Sequence, residues 1–145
     1  MSAPRASHVR VLALDPDGRV LLARRRDPVS RREVWEPPGG AVDPGEDLAD
    51  AAERELLEET GIAMPVCALR WSPVHREYEW NGEHRRRDEA VCVVHVAGAK
   101  VRPRMSPAER ASFLEWRWWS IGELADAADE VYPSDLAAIV GADQA

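Results

Sequence analysis

Three glutamates near the middle of the chain have a spacing that could place them together on one face of a helix. Glu55, Glu58 and Glu59 stand at positions i, i+3 and i+4, and an α-helix would hold these positions within an arc of about 100°. Carboxylate oxygens are the ligands that Mg²⁺ prefers, and a bound Mg²⁺ can polarise phosphate oxygens and activate water. The spacing therefore allows a metal site for phosphate chemistry, although a solvated acidic helix face would show the same spacing.

Residues 47–60 are predicted to form the helix that carries these glutamates. The segment contains no Gly or Pro and is rich in Ala, Leu and Glu, which favours a helix, and Gly61 is suited to end it in the left-handed conformation. Three apolar residues lie on or beside the glutamate arc: Leu48, Ala52 and Leu56. Mutual repulsion, burial and the helix dipole would therefore all oppose the glutamate charges. A bound cation would offset all three effects.

The net charge of −7 has one local source. Residues 43–59 contain eight acidic side chains and one basic side chain, Arg54, and acidic and basic residues balance elsewhere. A concentrated acidic segment suits a hard cation, whereas an acidic chain is poorly suited to broad binding of nucleic acid. We therefore expect a small-molecule substrate and do not expect nucleic acid as a partner.

The residues around the predicted helix follow a known pattern. Residues 40–62 run Gly40, five residues, Glu46, seven residues, Arg54-Glu55-Leu56, one residue, Glu58-Glu59, one residue, Gly61-Ile62. This resembles the Nudix box, G-x5-E-x7-R-E-U-x-E-E-x-G-U with U an aliphatic residue, at every specified position. The segments at 35–40 and 118–124 are also similar to conserved parts of that family. Pro37 is a departure, because the family often has an aliphatic residue there.

The resemblance implies a Mg²⁺- or Mn²⁺-dependent hydrolase that cleaves a diphosphate linkage in a nucleotide-like substrate, such as a nucleoside triphosphate, a nucleotide sugar or a dinucleotide. By resemblance, the metal ligands would be Glu55, Glu58, Glu59 and the carbonyl of Gly39, with Glu58 also catalytic near the attacking water. Members of the family often add a glutamate from outside the box. The candidates here are Glu109, Glu115 and Glu89, and the sequence does not choose among them.

The remaining residues of the box are expected to act as a scaffold. An ion pair between Arg54 and Glu46 would fix the preceding loop to the helix. Gly40 and Gly61 would be required for backbone conformation. These roles are carried over from the resemblance.

Basic and aromatic side chains could contact the substrate. We consider Arg24 for a phosphate group, and Trp35 and Trp80 for stacking on a base because they adjoin loops. Arginine clusters at 24–26, 31–32 and 85–87 could also meet phosphate, but nearly all basic residues of the chain are arginine, so solvated charge explains them equally well. The other tryptophans are expected to pack in the core or on a sheet face: Trp71, Trp116, Trp118 and Trp119.

Local patterns predict an α/β (α+β) protein with a mixed β-sheet sandwiched between helices, and the resemblance implies that this is the Nudix fold. The predicted strands are 8–14, 19–24, 65–79, 84–96 and 113–121, with loops at 25–45 and 98–112 and short helices near 120–128 and 133–141. Turn sequences at 15–18 and 81–82 predict two hairpins. We expect a single domain over residues 1–145, with its core at about 7–141.

The sequence also predicts a location and an assembly. It has no apolar run long enough to cross a bilayer and no signal-peptide pattern. Cys67 and Cys92 stand among apolar residues and are expected to be buried free thiols. These features predict a cytoplasmic protein, and the resemblance to the Nudix family allows a homodimer.

Three alternative functions are possible for a chain of this pattern. An isopentenyl diphosphate isomerase on this fold would need a cysteine near the loop before the box, and residues 25–46 contain none. A non-catalytic Nudix-like binding domain typically lacks box glutamates, and this chain retains them. An RNA 5′-pyrophosphohydrolase or decapping activity remains open, with the acidic balance against it.

Overall fold

The fold is built around a curled mixed β-sheet. It is seen in a computed structural model that describes residues 5–66, 70–98, 101 and 105–144. The elements are β1 (His8–Leu14), β2 (Val20–Arg26), β3 (Glu33–Glu36), β4 (Gly39–Ala41), α1 (Leu48–Thr60), β5 (Ser72–Trp80), β6 (Glu83–His95), α2 (Pro107–Ser112), β7 (Phe113–Trp119), α3 (Ile121–Ala125), β8 (Glu130–Val131) and α4 (Leu136–Gln144).

The strand order is β5-β6-β1-β2-β3-β8, and two strands leave this path. The start of β1 pairs with β4, through His8↔Ala41 and Arg10↔Gly39, while β1 meets β2 only at its end. Strand β7 pairs antiparallel with β2, and β6 runs parallel to β1. Because β1 and β2 each pair with three strands, the sheet curls around the start of β1, beside the end of α1.

The two faces of β1 form two separate cores, since successive side chains of a strand point to opposite faces. One core joins Val9, Val11 and Ala13 to residues of α1, including Leu56. The other core contains residues of β1, β2 and α4: Leu12, Leu14, Val20, Leu22, Leu136, Ile139 and Val140. Helices therefore cover both faces, and the prediction of a mixed sheet between helices is confirmed.

The helix that carries the glutamates is confirmed, together with its predicted end at Gly61. Asp47 is the N-cap, and its side chain accepts a hydrogen bond from the backbone N–H of Asp50 at 2.8 Å. Gly61 follows the helix with φ of 78°, in the left-handed region. The hairpin at Asn81-Gly82 is also present, between β5 and β6.

Other boundaries differ from the predictions. The loop expected at 25–45 contains the end of β2 and the short strands β3 and β4, because pairing with distant strands supplies the order that the local sequence lacks. Strand β5 begins at Ser72 rather than at residue 65. The loop expected at 98–112 contains helix α2, which Ser106 and Glu109 start as a reciprocal capping box, a signal present in the sequence.

The expected burial of cysteine and tryptophan side chains is seen where the structure describes these residues. Cys92 is a buried free thiol, and burial raises its pKa to about 12, while Cys67 lies outside the described residues. Trp119 is buried, and Trp71, Trp116 and Trp118 are partly buried against the cores, in agreement with the packing role. Within the described residues, no helix is long and apolar enough to span a membrane.

Candidate active site

A cleft of about 610 Å³ lies between the end of α1 and the β5–β6 hairpin. One wall carries carboxylates, from α1 and from α2: Glu55, Glu58, Glu59 and Glu109. The opposite wall carries basic and aromatic residues of the hairpin: Tyr78, Trp80, Asn81, Arg85 and Arg87. Strand β4 and the first residues of β1 form the floor between the two walls.

Glu59 is the most deeply buried of the three glutamates, with only 4% of its surface exposed. Its Oε2 accepts a hydrogen bond from the backbone N–H of Gly39 at 2.9 Å, and its Oε1 lies 3.5 Å from Nη2 of Arg25. Burial raises its pKa to about 8. A group of this kind is retained at a cost to stability, which points to a functional role.

The other two glutamates lie in less buried positions on the same helix. Glu55 is 9% exposed, and its pKa is raised, first by burial and then by the charges of Glu58 and Glu109. The side chain of Glu58 is 52% exposed, so solvent reaches it. The three carboxylates of the helix therefore differ in solvent exposure: Glu59 is the most buried, Glu55 is slightly more exposed, and Glu58 is open to solvent.

Arg54 joins these carboxylates to the loop before the helix. Its guanidinium donates two hydrogen bonds of 2.9 Å to Glu46 and one of 2.9 Å to the carbonyl of Ala41. The same group donates to Glu55 at 2.8 Å and to Glu58 at 3.4 Å. The hydrogen bond from Arg54 lowers the pKa of Glu46 to about 2. The predicted contact between Arg54 and Glu46 is thus present, while its scaffolding role remains a prediction.

The surroundings of Gly40 indicate a steric role rather than the expected conformational one. Its φ is not positive, unlike that of Gly61, so backbone conformation does not demand a glycine there. A Cβ at Gly40 would instead lie 2.5 Å from Oε1 of Glu55. The glycine leaves the space that the Glu55 carboxylate occupies.

The donor chemistry of the cleft fits a divalent cation, although the side chains are not drawn together around one point. Among the described residues, no group of three or more His, Cys, Asp and Glu side chains is close enough to hold a metal ion. Arg54 contacts Glu55 and Glu58, and Gly39 directs its N–H toward Glu59. The carboxylates of one wall nevertheless supply the oxygen donors that Mg²⁺ and Mn²⁺ use. The metal ligands at Glu55, Glu58, Glu59 and the carbonyl of Gly39 remain a prediction.

The three glutamates outside the box that were candidates for a further metal ligand lie in different surroundings. Glu109 lines the cleft and raises the pKa of Glu55 through its charge. Glu115 lies elsewhere and accepts a hydrogen bond from Arg24 at 2.7 Å. Glu89 is fully buried, and Arg10 and Tyr132 donate hydrogen bonds to it. Of the three, Glu109 alone lines the cleft.

Two of the three predicted substrate contacts are not in this cleft. Trp35 is 4% exposed and packs edge-on against Trp119, with ring centroids 5.0 Å apart, so its ring is part of the core. Arg24 pairs with Glu33 and Glu115, at a different surface. Trp80 does line the cleft, as a base-stacking residue would have to.

A network of largely buried charges at the lining of the cleft was not predicted from the sequence. Glu36 contacts Arg25 and Arg76 at 3.1 Å each and Arg10 at 3.7 Å. Arg10 also contacts Glu89 at 3.2 Å, and the neighbouring charges keep the pKa of Glu36 low despite its burial. The one signal in the sequence is Arg10 itself, a charged residue within an apolar strand.

The chain matches a known protein family. The family model for the NUDIX domain matches residues 4–138. An RNA pyrophosphohydrolase of Novosphingobium aromaticivorans is 33% identical over 128 residues, which cover 81% of this chain and 79% of that protein. An RNA pyrophosphohydrolase of Dinoroseobacter shibae is 30% identical over 140 residues, which cover 90% of this chain and 84% of that protein.

Solved structures show the same fold. The MutT protein from Methanosarcina mazei Go1 aligns with a TM-score of 0.64 and 23% identity, over 99% of this chain and 96% of that chain. A C. elegans Ap4A hydrolase aligns with a TM-score of 0.58 and 21% identity, over 97% of this chain and 96% of that chain. At these identities the likeness concerns the fold alone.

Proposed function

The chain belongs to the Nudix family of pyrophosphohydrolases, and on this premise we propose that it is a Mg²⁺- or Mn²⁺-dependent enzyme that cleaves the diphosphate linkage of a nucleotide-like substrate. The observation that carries the proposal is the carboxylate wall of the cleft. Two of its members, Glu55 and Glu59, are buried and have raised pKa values. A bound cation would compensate for both the burial and the mutual repulsion.

Each carboxylate has a position that suits a different task. Glu55 and Glu59 are held by Arg54 and by the N–H of Gly39, so they would act as fixed ligands. Glu58 is exposed to solvent and could accept a proton from the attacking water, in addition to ligating the cation. When bound, the cation would polarise the phosphate oxygens and lower the pKa of that water.

The 5′ end of RNA is the second candidate substrate. The relatives at 30–33% identity are named RNA pyrophosphohydrolases, and their names weigh against the expectation that nucleic acid is not a partner. A free nucleotide and an RNA 5′ end offer the same phosphate groups to the carboxylate wall. They differ in size, because an RNA extends from the cleft as a chain of further nucleotides and a free nucleotide does not. The cytoplasmic location and the homodimer remain predictions.

A substrate panel tests the proposal. Nucleoside triphosphates, nucleotide sugars, dinucleoside polyphosphates and a 5′-triphosphorylated RNA oligonucleotide would be incubated with Mg²⁺ or Mn²⁺, and phosphate and pyrophosphate release would be measured. We expect cleavage of at least one member, abolished by EDTA and strongly reduced by Glu58→Gln. Preference for the oligonucleotide over the matching free triphosphate would establish the second candidate. Cleavage that persists in EDTA would contradict the role of the cation.

A further inference from the structure

The basic residues on the two faces of the β5–β6 hairpin differ in whether they have acidic partners. On the outer face, each basic residue has an acidic partner on the neighbouring strand. His75 contacts Asp88 at 2.9 Å, His84 contacts Glu79 at 3.0 Å, and Arg86 contacts Glu77 at 3.0 Å. Opposite charges at facing positions stabilise a pair of strands. The basic side chains of the outer face are therefore all paired with acidic side chains of the protein itself.

The inner face, which lines the cleft, has arginine facing arginine. Arg87 stands directly opposite Arg76 in the register, and Arg85 stands opposite Tyr78. Arg76 is neutralised, because Glu36 lies 3.1 Å from it and the rings of Tyr78 and Tyr132 lie 3.9 Å and 3.8 Å from its guanidinium carbon. Like charges at facing positions destabilise a pair of strands. Arg76 thus has an acidic partner, whereas Arg87 opposite it has none among the described residues.

Arg87 is partly buried, and within the described part of the chain no carboxylate forms a salt bridge with it. Burial lowers the pKa of Arg87, and the charges of Arg10 and Arg85 lower it further, although Tyr78 and the buried carboxylate of Glu89 act in the opposite direction. The nearest acidic contact of Arg85 is Glu83, at 3.8 Å. Both guanidinium groups line the cleft, and among the described residues neither donates a hydrogen bond to a protein acceptor. The ring of Tyr78 lies 5.6 Å from the guanidinium carbon of Arg87.

We infer that Arg85 and Arg87 form an anion subsite on the hairpin wall, and that this subsite takes a phosphate group of the substrate. The inference deepens the proposed function, because it rests on the cleft receiving a phosphorylated ligand. A guanidinium group matches two phosphate oxygens at once. The two arginines are two residues apart on one strand, about 6.6 Å along it, so they can hold one phosphate between them or two adjacent phosphates.

The subsite also gives the substrate a direction in the cleft. The carboxylate wall repels an anion unless a cation is bound there, whereas the hairpin wall attracts an anion on its own. Trp80 is on the same inner face as Arg85 and lines the cleft. A nucleotide could therefore rest its base on Trp80 and a phosphate on the arginines, leaving the linkage to be cleaved toward Glu58.

Calorimetric titration with inorganic pyrophosphate in buffer containing EDTA tests the subsite without metal or turnover. The chain offers a matched control, because Arg86 neighbours Arg87 on the same strand but is exposed and paired with Glu77. We expect Arg87→Gln to weaken pyrophosphate binding about tenfold or more, as for loss of a charge-assisted hydrogen bond. Arg86→Gln should stay within about twofold of the unmodified protein.

Thermal melting establishes that the variants are folded. Arg87→Gln removes a charge that burial and the charges of Arg10 and Arg85 oppose, so its melting temperature should not fall, and Arg85→Gln provides a second test should Arg87→Gln fail to fold. The inference is overturned if the unmodified protein does not bind pyrophosphate, if both subsite variants bind as it does, or if Arg86→Gln loses as much affinity as Arg87→Gln. Failure of the proposed function would appear separately, as absent hydrolysis in the substrate panel with pyrophosphate binding intact.

Discussion

Gly40 and Glu55 occupy adjoining space, because a methyl group on the α-carbon of Gly40 would lie 2.5 Å from Oε1 of Glu55. The first glycine of the box and the first glutamate of its REUxEE segment are thus linked by a steric requirement across the cleft floor. The atoms that would clash belong to the end of a flexible side chain. A larger residue at position 40 would therefore move the carboxylate while leaving the backbone in place.

Gly40→Ala should fold normally and lose activity by about tenfold or more, since a displaced ligand of even 1 Å can cost that much. Activity and the free energy of unfolding would be measured on the same preparation. Gly122→Ala is the matched control, because a Cβ at that glycine meets nothing within 4 Å. Full activity in Gly40→Ala would show that the position of the Glu55 carboxylate does not matter for the reaction.

Glu58→Gln should fold and lose activity by about 10²-fold or more, because a metal ligand and proton acceptor is removed. Mn²⁺ titration should show weaker binding in this variant and weaker still in the double variant with Glu59→Gln. Glu53→Gln, on the same helix but outside the cleft lining, serves as the control. If the double variant binds Mn²⁺ like the unmodified protein, the ion lies elsewhere.

Arg54→Ala and Glu46→Ala should each cost about 1–3 kcal/mol in the free energy of unfolding, since the first leaves Glu46 without its guanidinium and the second removes two of the hydrogen bonds of Arg54. Activity should fall with stability, because Arg54 also contacts Glu55 and Glu58. Urea unfolding of both single variants and the double variant would measure the coupling. The double variant should be less destabilised than the sum of the singles, and strict additivity would mean that the contact contributes nothing.

The same pair predicts a pH dependence. The folded protein holds the pKa of Glu46 at about 2, below its ordinary value of 4.5, so the ionised form stabilises the fold. This contribution is complete above about pH 4.5 and is lost as the pH falls toward 2. The unfolding free energies of the unmodified protein and Glu46→Gln should therefore converge on acidification. A difference that is the same at pH 3 and at pH 6 would contradict the assignment.

The sequence by itself determined the features that depend on neighbours along the chain. The spacing of Glu55, Glu58 and Glu59 fixed their common helix, Gly61 fixed its end, and Asn81-Gly82 fixed the hairpin. These features rest on helical period, capping and turn geometry, which are properties of a few consecutive residues. The family membership followed from the same local spacing, because the box is one continuous segment.

The tertiary structure alone decided which side chains from distant segments meet the glutamates. Arg24 and Arg25 are neighbours in the sequence, but alternation along β2 sends them to opposite faces. Arg25 therefore reaches Glu59, and Arg24 reaches Glu115. Pairing of β2 with β3 and β7 sets this register, and a shift of one residue would exchange the two arginines. Local sequence patterns carry no information on that pairing, so the cleft's arginines could be assigned only from the folded chain.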